Sequence, residues 1–369
     1  MKTKIRFFIN TLGGGGAEKV LADLLNKLDP NLFDICLVTV DGGVHKADLP
    51  KYVRHRQLIR NSDPLGDIKR KIISHLPKSI LAKLYFREKF DYDIAYLEGF
   101  PTRVLAAVKT GAKKIAFVHC DLSVHNLLEP YYGSNRECLE EYDSFDRVCF
   151  VSEKCLNGFN VTFGELGNSC VVHNVIDVEK VVSRSLEPCG RDFAASGKKL
   201  VTVGRLTLQK NYSMLLRVIK SLEDEYDFEL WILGDGEQRE ELETQIAESG
   251  IRSVKLLGFQ TNPHSFCRKA DLFVCSSLFE GYSTAVSEAL ALGLPTLTTD
   301  CAGMREILDN GKYGLIVENS EEGLRNGLVS FLNNDEIWSD ISRNIQTRDK
   351  YDSDGALKEF FDAIGYETA

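Results

Sequence analysis

The chain has 369 residues, more than one ordinary core usually contains, which predicts two domains. Its hydrophobic fraction of 43% and charged fraction of 27% are typical of a soluble globular protein, and its net charge of −9 argues against a general nucleic-acid binder. No apolar run approaches the roughly 20 residues that a membrane-spanning helix needs.

The first half alternates short β-rich runs with helical runs. Most of the short runs are apolar and β-branched, which is typical of parallel strands buried on both faces. The predicted strands are 5–10, 35–40, 93–97, 114–118, 147–151 and 170–173, and the main predicted helices are 17–28, 65–89 and 102–109.

A glycine-rich loop, Thr11-Leu-Gly-Gly-Gly-Gly-Ala-Glu18, follows the first strand and opens a helix. Glycines allow a ligand to approach the backbone closely, and a helix N-terminus favours a phosphate or a polar hydroxyl. Four consecutive glycines exceed what a tight turn needs, so we expect a ligand contact here. The loop does not match the dinucleotide fingerprint, because Glu18 stands where its last glycine would be.

Residues 65–89 form a basic segment with seven Lys or Arg against two acids. Apolar residues recur at helical spacing on both sides of Pro77, which predicts a pair of amphipathic helices. This pattern fits docking on an anionic inner membrane face. It fits equally well an ordinary surface helix whose apolar side packs on the core.

Polar side chains follow two further strands of the first half. His119 and Asp121 come just after strand 114–118, and Glu98 ends strand 93–97. A histidine at a strand end can donate to a sugar hydroxyl or position an acceptor. Because Glu98 also ends a strand, it would face the same cleft as His119, and we expect Glu98 and Asp121 to help bind the acceptor.

Residues 177–198 are predicted to be the domain linker, because they contain Pro188, Gly190 and Gly197 with little periodicity. The second half then repeats the alternation, which indicates a second doubly wound α/β domain. Its predicted strands are 200–203, 229–233, 254–257, 272–275, 295–298 and 314–317, and its predicted helices are 211–223, 239–248, 284–292 and 321–332.

Arg205 and Lys210 lie after the first strand of the second half. Arg offers a planar fork of donors and Lys a compact charge, and two cations at the carboxyl end of a strand suit a diphosphate. Gly258 and Phe259, after strand 254–257, lie where a nucleotide base can rest against the loop.

Two glutamates stand eight residues apart after strand 272–275. Glu280 lies in a Gly-Tyr-Ser turn, and Glu288 lies inside the helix that begins at Thr284. The helix start offers free N–H groups and a positive dipole to an anion. The carboxylates can accept hydrogen bonds from sugar hydroxyls. No Asp-x-Asp pair stands at a strand end, so we expect no metal and no cofactor.

Taken together, four motifs resemble the GT-B glycosyltransferases of the retaining family 4. They are the glycine-rich first loop, V-G-R-L-x-x-x-K-N (203–211), G-D-G (234–236) and F-E-G-x-S-x-x-x-x-E-A-L-A-x-G-x-P (279–295). The resemblance spans nearly the whole chain and is strongest over residues 200–318. It implies two Rossmann-like doubly wound domains that face each other across a cleft. Residues 1–178 would bind the acceptor and 199–345 the nucleotide sugar, with the tail from about 350 to 369 packed on the first domain.

The same resemblance implies roles for single residues. Arg205 and Lys210 match the pair that binds the diphosphate, and Glu288 matches the glutamate that holds the ribose. Glu280 matches the glutamate beside the donor sugar, and His119 resembles the histidine near the transferred sugar. The full donor-binding set is Gly15, Gly16, Arg205, Lys210, Gly258, Phe259, Glu280, Gly281, Tyr282, Ser283, Thr284 and Glu288.

The expected function is transfer of a sugar, with retention and without metal, from a nucleoside diphosphate sugar, preferentially a UDP-sugar. The acceptor would be a glycan or lipid-linked saccharide in cell-surface polysaccharide synthesis. The alternatives are a nucleotide-sugar epimerase of the same fold, which needs no acceptor, and a non-catalytic nucleotide-sugar binding protein. The ten scattered cysteines predict reduced thiols in the cytoplasm, with the inner membrane face as a peripheral site.

Overall fold

The computed structural model describes residues 2–59, 65–193, 196–347 and 353–366. Two compact units make up the chain: Met1–Val175 with Asp354–Ala369, and Ile176–Ser353. Each unit is built on one parallel sheet with helices in the connections. The predicted fold class, two Rossmann-like doubly wound α/β domains, is therefore confirmed.

The first unit contains a parallel sheet of apolar strands. The strands are β1 Thr3–Ile9, β2 Phe33–Thr39, β3 Arg54–Gln57, β4 Tyr92–Ala95, β5 Lys113–Val118, β6 Arg147–Phe150 and β7 Ser169–Val171. Its first six helices are α1 Gly16–Lys27, α2 Gly66–His75, α3 Lys78–Tyr85, α4 Phe100–Ala106, α5 Asn135–Asp143 and α6 Glu153–Phe163. The strand order is β3-β2-β1-β4-β5-β6-β7, so the direction of winding reverses between β1 and β4.

The C-terminal helix, Ser353–Ile364, packs on this first sheet. The ring of Phe360 stacks on Phe7 of β1 with centroids 6.3 Å apart. Glu359 accepts hydrogen bonds from the backbone N–H of His173 at 2.8 Å and from its ring. Burial alone would raise the pKa of Glu359, but these bonds outweigh it and lower the pKa.

The second unit repeats this architecture with a separate core. Its strands are β8 Lys198–Val203, β9 Phe228–Leu233, β10 Val254–Gly258, β11 Leu272–Cys275, β12 Thr296–Thr299 and β13 Gly314–Val317. Its helices are α7 Val178–Ser185, α8 Tyr212–Leu222, α9 Arg239–Ser249, α10 His264–Cys267, α11 Thr284–Ala291, α12 Met304–Ile307, α13 Glu321–Leu332 and α14 Glu336–Thr347. The order β10-β9-β8-β11-β12-β13 reverses between β8 and β11.

Several elements differ from the sequence-based expectation. Strand β3 was missed because its sequence, Arg-His-Arg-Gln, is polar and lies at the sheet edge. The segment predicted as irregular linker contains α7, whose N-cap Asp177 accepts from the backbone N–H of Lys180. By contrast, the basic segment forms a pair of helices on either side of Pro77, as its apolar spacing predicts. In the described parts of the chain, no helix is long and apolar enough to cross a membrane.

Candidate functional site

Lys210 and Glu280 meet at the point where the second sheet reverses. Lys210 follows β8 through a short 3-10 turn, and Glu280 follows β11. Ligands of doubly wound sheets bind beside such a reversal, at the carboxyl ends of the strands. The Nζ of Lys210 lies 2.5 Å from Oε1 of Glu280, and the two side chains are only 18% and 9% exposed. The structure thus brings together two candidates from separate loops.

Close backbone packing determines where the β8 loop begins. Gly234, after β9, has φ +145°, and a Cβ at this position would lie 1.8 Å from the carbonyl oxygen of Gly204. Gly204 in turn lies against the side chains of Lys210 and Tyr212. Larger residues at either glycine would displace the loop that carries Lys210.

Hydrogen bonds join the Lys210 loop and the Glu280 loop into one rigid edge. The Oγ of Ser276 donates to the carbonyl of Lys210 at 2.8 Å, and the Oγ of Ser277 donates to Oε1 of Glu280 at 2.7 Å. The side-chain amide of Gln209 donates to the carbonyl of Phe279 at 3.0 Å. A site held in this way needs little reorganisation when an anion binds.

The same contacts keep Lys210 charged. Burial alone would lower the pKa of Lys210, but the attraction of the Glu280 carboxylate outweighs burial, and the pKa is raised. An ammonium group has three donor hydrogens, so a lysine that donates one to Glu280 still has two to offer. Lys210 is therefore a permanent cation at this edge.

Helix α11 begins beside this ion pair. Its N-cap is Ser283, whose side chain accepts from the backbone N–H of Val286, and Thr284 is the first helical residue. Gly281 and Tyr282 lead into the cap. A helix start carries partial positive charge and N–H donors, which adds to the charge of Lys210.

Glu288 lies one turn into α11 and is almost fully buried at 6% exposure. Its Oε2 lies 3.2 Å from Nε2 of His264, the first residue of α10. His264 is 3% exposed. Glu288 therefore projects from the same helix whose N-terminus adjoins the Lys210–Glu280 pair, but its carboxylate has a different partner.

The remaining residues of the second unit that are predicted to bind the sugar donor are more exposed to solvent. Arg205 follows Gly204 and is exposed, in contrast to Lys210. Gly258 ends β10 with φ +70°, and Phe259 beside it is 56% exposed. An exposed ring at a strand end offers an apolar surface to a planar ligand.

The second unit also contains a cavity away from the Lys210–Glu280 pair. It measures about 730 Å³ and is lined by Lys198, Asp271 and Pro295, at the amino ends of β8, β11 and β12. None of the predicted site residues lines it. We place the site at the opposite edge, because the charges and strand ends converge there. No group of three or more His, Cys, Asp or Glu within the described ranges is arranged to hold a metal ion.

In the first unit, Glu98 and His119 meet at the carboxyl ends of β4 and β5. The carboxylate of Glu98 accepts from the backbone N–H of His119 at 2.9 Å and from the thiol of Cys120 at 3.2 Å. Burial raises the pKa of Glu98, and burial lowers the pKa of His119 to about 4. Within the described structure the Nε2 of His119 is buried without a hydrogen-bond partner. This edge is therefore polar but resists charge.

Asp121 is engaged in its own loop. Its Oδ1 accepts from the backbone N–H and the Oγ of Ser123 at 3.1 and 2.6 Å, and the residue is only 2% exposed. These bonds shape the turn after β5. Asp121 thus has a structural task beside its predicted role in acceptor binding.

An acid, Glu18, lies close to the backbone of the glycine-rich loop. Helix α1 begins at Gly16, and Gly15 caps it without a side-chain bond. A Cβ on Gly15 would lie 2.1 Å from Oε2 of Glu18, so Glu18 folds back over the loop. A carboxylate at this place repels a phosphate and favours hydroxyl groups. The glycines thus leave room for Glu18.

Sequence reasoning missed the side chains that support the site. Gln209, Ser276 and Ser277 are neighbours of predicted residues, so their position was the available signal. Asn319, whose amide donates to the carbonyl of Leu278 at 2.9 Å, comes from the far end of β13. The sequence gives no indication that Asn319 reaches this loop.

Comparisons with known proteins show which proteins this chain is similar to. Residues 191–348 match the family model described as "Glycosyl transferases group 1". The N-acetylgalactosamine-N,N'-diacetylbacillosaminyl-diphospho-undecaprenol 4-alpha-N-acetylgalactosaminyltransferase of Campylobacter jejuni is 28% identical over 362 residues, which cover 94% of this chain and 95% of that protein. A second C. jejuni transferase, which adds N-acetylgalactosamine to a diNAcBac-PP-undecaprenol saccharide, is 27% identical, with 94% of each chain covered.

A solved structure agrees on the fold. Anabaena HepE, crystallised with UDP and glucose, superposes with a TM-score of 0.78 at 18% identity, covering 98% of this chain and 99% of that one. The protein thus has the GT-B fold. The group 1 domain and the transferase relatives support a glycosyltransferase.

Proposed function

We propose that this protein is a metal-independent, retaining glycosyltransferase of family 4. It transfers a sugar from a nucleoside diphosphate sugar, preferentially a UDP-sugar, to a hydroxyl of a glycan or lipid-linked saccharide in cell-surface polysaccharide synthesis. The observation that carries this proposal is the Lys210–Glu280 pair beside the N-terminus of α11. A permanent cation, a helix start and a carboxylate supply the groups that a diphosphate with an attached sugar needs.

The reaction breaks the bond between the anomeric carbon and the diphosphate oxygen. Lys210, Arg205 and the N–H groups of α11 stabilise the negative charge that develops on the leaving diphosphate. Glu280 lies beside Lys210 and faces the donor sugar, where it accepts from a sugar hydroxyl. The acceptor oxygen attacks the anomeric carbon from the same face of the sugar from which the diphosphate leaves. The proton of the acceptor hydroxyl passes to the leaving phosphate oxygen.

The first unit supplies the acceptor side. Burial raises the pKa of Glu98 and lowers that of His119, which favours the neutral form of each, and Glu18 lies over the glycine loop. Such an edge suits neutral sugar hydroxyls better than phosphate. The names of the two C. jejuni transferases describe acceptors linked to undecaprenol through a diphosphate, and a lipid-linked saccharide is the acceptor class that we propose here.

The test is turnover of a panel of nucleoside diphosphate sugars, preselected by thermal stabilisation, with and without undecaprenyl-diphosphate-linked saccharides. We expect donor consumption to require acceptor and to persist in excess chelator. We expect the product anomer, read by NMR, to match the donor. Rapid conversion of donor alone to an epimer indicates an epimerase, and binding without turnover indicates a binding protein. Loss of activity in chelator, restored by Mn²⁺, contradicts metal independence.

The basic segment makes a peripheral membrane position part of this proposal. Ile68 and Ile72 of α2 are 55% and 52% exposed, and Ile80 and Leu84 of α3 are 42% and 50% exposed. Ile73 and Leu81 face the core at 5% and 2%. The two helices thus have an inward and an outward apolar side. The outward side, beside exposed lysines, fits the surface of an anionic bilayer.

A further inference from the structure

His264 and Glu288 form a buried pair in the second unit. We infer that His264 is a positioning residue that orients Glu288 toward the ribose of the bound nucleoside diphosphate. This inference rests on the proposed function, since it presumes that Glu288 binds ribose. It adds a residue that lies outside all the motifs identified in the sequence.

The geometry favours a specific orienting contact. Nε2 of His264 lies 3.2 Å from Oε2 of Glu288, and the two residues are 3% and 6% exposed. An ionised carboxylate accepts hydrogen bonds only, so the ring must carry its hydrogen on Nε2. A carboxylate has about four acceptor positions, so one bond from His264 is compatible with further bonds to a ligand.

The chain on either side of His264 is held in place by packing and a hydrogen bond. The side-chain amide of Asn262 donates to the carbonyl of Arg184 at 2.8 Å, which anchors the start of α10 to α7. Two residues beyond His264, the ring of Phe266 packs edge-on against Trp231 with centroids 5.7 Å apart. His264 therefore approaches Glu288 from an element that both α7 and the core hold in place.

The consequence is a change in selectivity. A glutamate that is held in one orientation forms a good hydrogen bond only with a ribose hydroxyl at one position. A nucleotide without that hydroxyl therefore binds less tightly. A good hydrogen bond to a charged group corresponds to about a tenfold or larger difference in affinity. A Glu288 that lacks the His264 contact loses most of that difference, whereas a merely damaged fold weakens all nucleotides alike.

The test compares UDP with 2′-deoxy-UDP and 3′-deoxy-UDP by calorimetry on the full-length protein. We expect wild type to prefer UDP over at least one deoxy analogue by about tenfold. We expect His264→Phe, which keeps the ring volume, to reduce this ratio below about threefold. His264→Gln, whose amide nitrogen can stand near Nε2, should keep the ratio, and the shorter His264→Asn should lose it.

Control variants distinguish the role of His264 from the role of Glu288. Ser265→Ala alters the neighbouring buried residue, whose Oγ donates to the carbonyl of Asn262 at 3.1 Å, and should keep the ratio. Full selectivity in His264→Phe, or in His264→Asn if the Phe variant does not fold, overturns the role of His264. If Glu288→Ala loses selectivity in that same experiment, the ribose assignment stands. Full selectivity in Glu288→Ala overturns both the ribose role of Glu288 and the positioning role of His264. Absence of UDP binding in wild type contradicts the proposal that the donor is a UDP-sugar.

Discussion

The two sheets have the same strand arrangement but differ in the charge of the side chains at corresponding edges. Winding reverses between β1 and β4 in the first unit and between β8 and β11 in the second. In the first, burial lowers the pKa of His119 to about 4 and raises the pKa of Glu98, so both groups tend toward their neutral forms. In the second, Glu280 keeps buried Lys210 charged.

This difference shows how one fold serves two ligands. A Rossmann-like sheet provides a place for a ligand but does not determine its chemistry, which depends on the side chains at that place. A charged, rigid edge is suited to a diphosphate, and a neutral polar edge to sugar hydroxyls.

The largest expected effect comes from removing the cation. Lys210→Ala should weaken UDP binding by about 1.5–3 kcal/mol, the scale of a hydrogen bond to a charged group. It should also lower kcat by about 100-fold or more, because Lys210 stabilises the leaving group. Calorimetry and donor kinetics measure the two effects.

The matched control is Lys220→Ala on the following helix. Lys220 is also paired, with its Nζ 2.8 Å from Oε1 of Glu223, but it lies in the last turn of α8, whereas Lys210 precedes that helix. This variant should bind UDP as wild type does. Equal affinity in Lys210→Ala and wild type would remove Lys210 from the diphosphate site.

The two glutamates should separate binding from turnover. Glu288→Ala should raise the donor Kd by about tenfold or more through lost ribose contacts, and Glu280→Ala should mainly lower kcat. Because Glu280 also pairs with Lys210, Glu280→Gln tests the same role with the shape retained. Equal losses of donor binding in both variants, with unchanged kcat, would contradict the assignment.

The neutral edge predicts a pH effect on stability. The pKa of His119 is lowered from 6.5 to about 4 in the folded protein, so the unfolded chain binds more protons between these values. Stability from this group is complete above 6.5 and is lost as pH falls toward about 4. The loss between pH 7 and pH 5 is about 2 kcal/mol by linkage.

The measurement is urea unfolding of wild type and His119→Gln at both pH values. Glu98 acts in the opposite sense, because its raised pKa makes stability fall as pH rises. The difference between the two proteins cancels that contribution. The variant should lose less stability on acidification than wild type, and an identical loss would mean that His119 is accessible to protons in the fold.

The smallest effect per residue concerns the outer face of α2 and α3. Each exposed lysine adds about 1 kcal/mol of attraction to an anionic bilayer. Lys71→Glu with Lys83→Glu should reduce co-sedimentation with anionic liposomes at low salt. Lys109→Glu with Lys154→Glu makes the same charge change at exposed positions of the same unit and should bind as wild type does. If wild type does not bind anionic liposomes at low salt, the peripheral membrane position is wrong and a soluble acceptor is favoured.

Much of the fold could be predicted from the sequence because both sheets consist of short apolar strands. The run before Gly204 and the run before Ser276 are buried on both faces, and this pattern is visible without coordinates. Strand β3 and helix α5 were not predicted, because their sequences are mostly polar and lack a clear apolar pattern. Only their contacts with neighbouring elements in the fold identify them.

The candidate site could be predicted only in part. Lys210 and Glu280 were each identified from a motif, but their direct contact depends on the reversal between β8 and β11. His264 and Asn319 reach the site through tertiary packing and show no local pattern. The role of Glu18 depends on a rotamer that folds back over Gly15, which spacing cannot indicate.

A crystal structure of the protein with UDP tests the central claim most directly. We expect the phosphate oxygens within hydrogen-bond distance of Lys210 Nζ and of the first N–H groups of α11, with the ribose beside Glu288. UDP bound by the first unit alone, without a phosphate contact to Lys210 or α11, would contradict the account, because the two edges would then have exchanged the roles assigned to them.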